Sequence, residues 1–336
     1  MILLPLISSL LLGSAGSWFM SRYAYRFGLL DIPHDRSSHN LPTPRGGGIG
    51  ILAAVIAASL LLQLPITFWI PASMLSLVSF FDDKLGLTPR ARFIFQFAAA
   101  LVVTGYIYLS PIDFQIQNPK FIIQNLTLLL SCCIFIVGTT NFFNFMDGIN
   151  GIAAITGMVG FALMSIFASQ SGFDQSVVYF CLCISTACLG FLPFNVPTAR
   201  VFMGDVGSIL LGFLFATLCV LLARTATDFL VLCGFLSTFY ADALTTLYIR
   251  MRDGERLSQA HRRHMYQLMA NQMGIPHWKV SLGYGVLQGA VGVLLLLLRQ
   301  HGLAAVIPTE IFLCLCWWSV SLRFRRIAKN SLISPS

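Results

Sequence analysis

Long apolar runs and short polar segments alternate along nearly the whole chain. A hydrocarbon core about 30 Å thick needs roughly 20 apolar residues per helix, and runs of that length recur. Stretches such as GVLLLLLRQ lack the polar and apolar alternation of barrel strands, so the pattern predicts helices. It predicts about eleven membrane-spanning helices, at approximately residues 2–20, 46–64, 66–81, 92–110, 121–139, 149–168, 176–193, 206–223, 227–249, 279–298 and 303–320.

These helices predict an all-α fold, a polytopic bundle formed by a single integral membrane domain over residues 1–336. The first run lacks the basic start and the Ala-x-Ala-like site of a signal peptide, so we expect it to remain as a span. The polar segments between the runs predict cytoplasmic loops at about residues 21–45, 82–91, 140–148, 194–205 and 250–278.

Composition and charge agree with this class and indicate its orientation. Hydrophobic residues make up 57% of the chain and charged residues 10%, whereas charged residues form about a quarter of soluble domains. With the amino terminus outside, only Lys120, Arg224 and Arg299 of the lysines and arginines fall in outer loops, as the positive-inside rule requires. We therefore expect a periplasmic amino terminus and a cytoplasmic carboxyl terminus. The net charge of +8 is then mostly topogenic, and the absence of a soluble basic domain argues against a nucleic-acid partner.

This orientation brings four polar segments to one face of the membrane, namely FFDDKLGLTPRAR, NFFNFMDGING, PFNVPTARVFMGDVGS and SQAHRRHMYQ. Their carboxylates and carboxamides suit a hard divalent cation, and their guanidinium and imidazole groups suit phosphates. The combination predicts phosphoryl transfer with a metal-bound diphosphate.

Each segment also has a structural explanation. Helix capping, interhelical hydrogen bonding and contact with anionic lipid would all place polar groups at these positions. The run RGGGIG lacks the Lys-Ser/Thr of a P-loop and is weak as a nucleotide motif. We expect Asp242 to be structural, with Arg250 or a neighbouring helix as its partner. The other residues concerned are Asp82 with Asp83, balanced by Lys84 and Arg90; Asn141, Asn144, Asp147 and Asn150; Asp205; and residues 261–264.

The order of these motifs resembles that of a known family. Asp82, Asp83, Leu87, Arg92 and Gln96 are followed by NFFNFMDGINGIA, GFLPFNVPTARVFMGDVGS and HRRHMYQ, and the early segment DIPHDRSSHNLPTPRGGGIGI is also similar. From about residue 28 to 270 the chain resembles the polyprenyl-phosphate N-acetylhexosamine-1-phosphate transferases, relatives of phospho-N-acetylmuramoyl-pentapeptide transferase. Its first loop is similar to that of the branch that initiates O-antigen synthesis.

The resemblance implies a bacterial inner-membrane enzyme with its site on the cytoplasmic face. It implies transfer of an N-acetylhexosamine 1-phosphate from a UDP-sugar to undecaprenyl phosphate, with Mg²⁺ or Mn²⁺ bound and UMP released. The sugar is expected to be GlcNAc or a deoxy sugar such as FucNAc or QuiNAc, and the pathway O-antigen or a related envelope glycan. Membrane lipid surrounds such an enzyme. The resemblance leaves the oligomeric state undecided, with a homodimer as one possibility.

The family's roles carry over to the matching positions. Asp82 and Asp83 match its catalytic pair, one of which deprotonates or positions the lipid phosphate. Asp205 looks like the metal ligand, with Asn144 as its companion. Where most members read DGIDG this chain has Asn150, whose amide can pair with a uracil edge. The expected substrate-binding residues are Asn141, Asp147, Asn150, Arg92, Asn195, His261, Arg262, Arg263 and His264.

Two other classes of membrane protein match parts of the pattern. An intramembrane prenyltransferase would carry a pair of Asp-x-x-x-Asp clusters, which DDKLG and NFFNFMD do not supply. A transporter would place its charges near the midplane in two related halves, whereas here they gather on one side. The transferase is therefore the leading hypothesis.

Overall fold

The computed structural model describes residues 3–33, 41–109, 122–256 and 262–333. A two-stranded antiparallel pair, β1 (Leu30–Asp31) with β2 (Thr43–Pro44), joins the first two helices and is a small departure from the predicted all-α fold. The helices are α1 Leu3–Tyr23, α2 Ile49–Leu61, α3 Ile66–Leu85, α4 Pro89–Leu109, α5 Ile122–Phe145, α6 Ile152–Gln170, α7 Gln175–Phe191, α8 Asp205–Leu222, α9 Ala226–Gly234, α10 Ser237–Arg252, α11 Met265–Gln267, α12 His277–Leu298 and α13 Leu303–Ile333.

Eight helices in the described ranges are long and apolar enough to cross a membrane. The fold is therefore that of a polytopic helical membrane protein, as the apolar runs predicted. The span predicted at 46–64 is shorter in the structure, because α2 has 13 residues. The span predicted at 66–81 lies within α3, whose apolar stretch Ile66–Asp82 falls short of the length of the other eight. The number of eleven spans and the orientation stay predictions.

The predicted span 227–249 is not one continuous helix. α9 and α10 meet at an angle of 83°, and the buried residues Phe235 and Leu236 separate them. The ring of Phe235 packs edge-to-face on Phe167 of α6, with 6.3 Å between centroids. The two helices together are as long and apolar as a span, and the sequence did not predict the bend because hydropathy measures how apolar a segment is and carries no information on its direction.

Helix α8 lies at the centre of the bundle. Its sequence DVGSILLGFLFATLCVLL is apolar on every face, and 89% of the span is buried, as expected for a helix surrounded by others. It packs against α2, α3, α4, α5 and α6, whereas α13 lies outside with 11% of its span buried. Because α8 begins at Asp205, the ends of its neighbours meet around that residue.

Candidate active site

The end of α3 and the start of α4 form the first part of the candidate site. Asp82 in the last turn of α3 is almost fully buried; it accepts a hydrogen bond from the backbone N–H of Leu87 and forms an ion pair with Nε of Arg92. Nη1 of Arg92 also lies 3.6 Å from Oδ2 of Asp205. One guanidinium therefore faces carboxylates from two helices. The side chain of the second predicted catalytic residue, Asp83, lies outside the described residues.

Helix α5 continues through much of the predicted loop 140–148, so Asn141 and Asn144 are helical. The side-chain amide of Asn141 donates to Oε1 of Gln96 and to the carbonyl of Val137, both at 2.7 Å. Asn141 thus joins α5 to α4, and these bonds direct its amide nitrogen toward protein acceptors.

Asp205 and Asn144 meet where α8 begins. Gly204 is the N-cap residue and no side chain caps the helix, so Asp205 does not act as the cap that its position suggested. Its carboxylate is hydrogen-bonded to the side chain of Asn144, whose Oδ1 accepts from the hydroxyl of Ser208 at 2.7 Å. The two residues predicted to share a metal are therefore in direct contact.

Asp147 lies in the turn that follows α5. Loss of hydration and, to a smaller extent, the charge of Asp205 raise the pKa of its carboxyl from 3.8 to about 7, and Arg45 opposes the shift. Asp205 also interacts electrostatically with Asp82, so Asp82, Asp147 and Asp205 belong to one cluster of like charges, which repel one another.

The glycine run near the first strand pair places Arg45 in this cluster. Residues 44–48 run beside residues 202–203 through three backbone hydrogen bonds of 2.8 to 2.9 Å. A Cβ on Gly48 would lie only 2.4 Å from the Cα of Gly207, so glycine is needed where α2 meets α8. This packing brings the guanidinium of Arg45 into electrostatic interaction with two of the carboxylates described above.

Asn150 and Asn195 hold the neighbouring turns. The amide of Asn150 donates to the carbonyl of Pro197 at 3.3 Å. The buried Asn195 accepts from the N–H of Gly151 at 2.5 Å and donates to the carbonyl of Val201 at 2.9 Å. Asn195 therefore joins two turns of the protein, and its contact with a substrate stays a prediction, whereas Asn150 is partly exposed.

Much of the predicted basic cluster has partners inside the protein. His261 lies outside the described residues, and Arg262 is partly exposed. Arg263 forms ion pairs with Asp253, at 2.5 Å, and with Glu255. Those carboxylates reduce its availability for a phosphate.

His264 lies beside a buried carboxylate. It is 5% exposed, its Nδ1 is 3.5 Å from Oδ1 of Asp242, and its ring stacks on Tyr266 with 5.5 Å between centroids. Asp242 also accepts from the hydroxyl of Tyr284 at 2.7 Å, and Arg250, the partner suggested by spacing, is paired with Glu255. The expectation of a structural Asp242 is consistent with this arrangement.

Two residues of the site were not predicted from the sequence. Arg45 was counted only among the topogenic cations, although the glycines that follow it indicate a close backbone approach. Tyr266 gave no signal beyond its place in HRRHMYQ, yet its hydroxyl donates to the carbonyl of Phe145 at 3.2 Å. Its oxygen lies where a Cβ on Gly148 would clash, so it contacts the turn that carries Asp147.

Comparison with known proteins identifies the family of the chain. A family model described as glycosyl transferase family 4 matches residues 65–223. Phospho-N-acetylmuramoyl-pentapeptide-transferase of Staphylococcus saprophyticus is 33% identical over 227 residues, 61% of this chain and 69% of the relative. The Staphylococcus aureus protein of that name is 27% identical over 276 residues, 75% of this chain and 84% of the relative.

A relative with a different donor sugar in its name is also similar. The probable undecaprenyl-phosphate N-acetylglucosaminyl 1-phosphate transferase of Bacillus subtilis is 28% identical over 208 residues, 60% of this chain and 58% of the relative. The family match covers Asp82, Arg92, Asn144, Asp147 and Asp205. The chain belongs to glycosyl transferase family 4, the polyprenyl-phosphate sugar-1-phosphate transferases that its motifs resemble.

Proposed function

We propose that the protein transfers an N-acetylhexosamine 1-phosphate from a UDP-sugar to undecaprenyl phosphate and releases UMP. The observation that carries the proposal is the meeting of Asp82, Asp147, Asp205, Asn144 and two arginines at one end of the bundle. These groups come from distant parts of the chain, as expected for a site that binds a charged donor and a charged acceptor together.

The donor atoms are those that a hard divalent cation prefers. Asp205 and the amide oxygen of Asn144 are hard ligands, and Asp82 adds a second carboxylate that interacts electrostatically with Asp205. No group of three His, Cys, Asp or Glu residues with metal-ligand spacing occurs among the described residues. Proteins usually hold Mg²⁺ with one or two carboxylates and substrate phosphates. We propose Asp205 and Asn144 as its protein ligands. When bound, Mg²⁺ or Mn²⁺ neutralises charge on the diphosphate.

The side chains support a displacement at phosphorus. An oxygen of undecaprenyl phosphate attacks the β-phosphorus of the UDP-sugar, and the bond from that phosphorus to the bridging oxygen breaks, so that UMP leaves with the electron pair. Asp82, alone or with Asp83, positions the lipid phosphate or accepts its proton. Arg92 and Arg45 stabilise the charge that develops on the leaving group, and Asn150 contacts the uracil. A route through a phosphorylated aspartate would use the same residues.

The sugar and the pathway belong to the proposal. We propose GlcNAc or a deoxy-N-acetylhexosamine such as FucNAc or QuiNAc, in the first membrane step of O-antigen or related glycan synthesis in the bacterial inner membrane. The similarity of the first loop to the O-antigen branch supports this choice. The pentapeptide-transferase relatives make UDP-N-acetylmuramoyl-pentapeptide the donor to test against it.

The test is UMP release by the purified, detergent-solubilised protein with undecaprenyl phosphate, Mg²⁺ and a panel of UDP-N-acetylhexosamines and UDP-N-acetylmuramoyl-pentapeptide. We expect UMP and, by mass spectrometry, a lipid diphosphate-linked sugar from one N-acetylhexosamine. Absence of UMP with every donor, while the Bacillus subtilis relative turns over under the same conditions, would overturn the proposal.

A matched pair of variants ties activity to the site. Arg92→Ala removes the cation between Asp82 and Asp205 and should raise the KM for one phosphate substrate at least tenfold. Arg90→Ala removes an exposed arginine from the same helix and should leave KM unchanged. Equal kinetics in both variants would show that Arg92 does not bind substrate and serves only the membrane topology.

A further inference from the structure

An arginine near the end of α13 differs from its neighbours. Arg323 and Arg326 are exposed, whereas Arg325 is partly buried. Its Nε donates to the hydroxyl of Ser321 at 3.1 Å, and Nη1 donates to the carbonyl of Arg263 at 2.7 Å. A cation that served only topology or anionic lipid would have no reason to enter the protein in this way.

The other branch of the guanidinium reaches a buried polar network. Nη2 of Arg325 donates to Oγ1 of Thr246 at 2.9 Å, and that hydroxyl donates to Oδ1 of Asp242 at 3.1 Å. Asp242 is 0% exposed and also accepts the backbone N–H groups of Met265, at 2.8 Å, and Tyr266, at 3.2 Å. Arg325 and Asp242 thus hold residues 263–266 from two sides.

The segment held in this way contacts the candidate site. The hydroxyl of Tyr266 donates to the carbonyl of Phe145, the last residue of α5. Its oxygen lies 2.2 Å from the position of a Cβ on Gly148, which follows Asp147 directly. A displacement of residues 263–266 would therefore displace the turn that carries Asp147.

We propose that Arg325 is a positioning residue for sugar-phosphate transfer, which holds residues 263–266 and, through Tyr266, the turn of Asp147. The inference rests on the function proposed above. The planar guanidinium suits this task because its fork reaches a carbonyl and a hydroxyl at once, which the single ammonium of lysine does not reproduce.

The test compares Arg325→Gln and Arg325→Lys with Arg323→Gln and Arg326→Gln, which remove the same charge from the same part of α13. We expect kcat to fall at least tenfold in Arg325→Gln, with little recovery in Arg325→Lys, and to stay within twofold in both control variants. In Arg325→Ala, guanidinium ion at non-denaturing concentration should restore part of the lost rate, which recovery of stability alone would not produce. Uniform kinetics across the set, or full activity in Arg325→Lys, would overturn the proposal.

A readout independent of turnover separates this inference from the proposed function. Hydrogen exchange of residues 145–150 and 262–272 should accelerate in Arg325→Gln, and also in Thr246→Val, which removes the bridging hydroxyl without changing charge. If the hydrogen-exchange rates are unchanged in both variants, the inference is wrong even when the enzyme is active. If exchange is faster in the variants but the wild-type protein releases no UMP, the positioning role of Arg325 is supported and the proposed transferase activity is overturned.

Discussion

Three carboxylates face two guanidinium groups among the described residues of the site. Asp205 interacts electrostatically with both Asp82 and Asp147, and Arg92 and Arg45 compensate these charges in part. Carboxylates held so close and poorly hydrated are destabilising unless cations offset them. The arrangement therefore lowers folding stability, and a bound divalent cation would offset the repulsion between the carboxylates.

Asp205→Asn should abolish metal-dependent turnover while the protein still inserts and folds. The substitution keeps the shape of the side chain but removes its charge, so we expect a loss of about 100-fold or more in UMP release. The thermal midpoint should be unchanged or slightly raised, because one of the repelling carboxylates is gone. Normal turnover of the purified variant would remove Asp205 from the metal site.

Asp147 should make the stability of the metal-free protein depend on pH. Its pKa is about 7 in the folded protein and ordinarily 3.8, so the folded state binds more protons between these values and stability falls as pH rises through that window. The loss is up to about 4 kcal/mol. Thermal unfolding in EDTA at pH 5 and pH 8 should show the larger part of this loss, which falls between pH 5 and about 7, and Asp147→Asn should flatten the difference. An equal pH slope in both proteins would contradict the assignment.

Single residues show what sequence could predict of the site and what it could not. Asp82, Arg92, Asn144 and Asp205 stand in recognisable segments, and the structure brings them together. His264 is buried against Asp242, a contact that the sequence did not indicate because spacing along the chain does not show which side chain a residue faces. Its contact with phosphate stays a prediction.

At the scale of helices, the apolar runs predicted most elements to within a few residues. The exceptions are set by tertiary packing. α5 extends to Phe145 although Asn141 and Asn144 look like loop residues, because their amides find partners on α4 and α8. The bend between α9 and α10 is also set by tertiary packing, which hydropathy does not report.

Gly48→Ala tests the contact between α2 and α8. The added Cβ would lie 2.4 Å from Cα and 2.5 Å from N of Gly207, and backbone cannot yield as a side chain does. We expect a destabilisation of about 1–3 kcal/mol or more, together with lower activity because residues 44–48 carry Arg45.

The matched control for that substitution is Gly105→Ala in α4, where an added Cβ meets nothing within 4 Å. It should be neutral or stabilising by up to about 1 kcal/mol. Thermal unfolding in detergent and UMP release measure both effects. Equal midpoints for the two variants would show that the α2–α8 approach is looser than described.

At the scale of the whole molecule, charge is divided between the two ends of α8. Asp205 begins this 18-residue helix, which is about 27 Å long, and Arg224 follows its far end. There Arg224 donates to the carbonyl of Ser171 at 3.0 Å, and Arg299 pairs with Asp228 at 2.7 Å. These arginines tie the turns between helices together, so their place among the predicted outer cations has a structural reason besides topology.

The predicted orientation, with a periplasmic amino terminus and a cytoplasmic carboxyl terminus, can be measured directly. Green fluorescent protein fused after Ser336 should fluoresce, because it folds in the cytoplasm, and alkaline phosphatase fused after His301 should be active, because it folds only outside. The carboxyl end of α10, near Gly254, should give the cytoplasmic pattern, which places the candidate site where nucleotide sugars are made. The reverse pattern at all three positions would put the site on the outer face. A UDP-sugar donor would then be untenable in the cell, even if the purified protein released UMP.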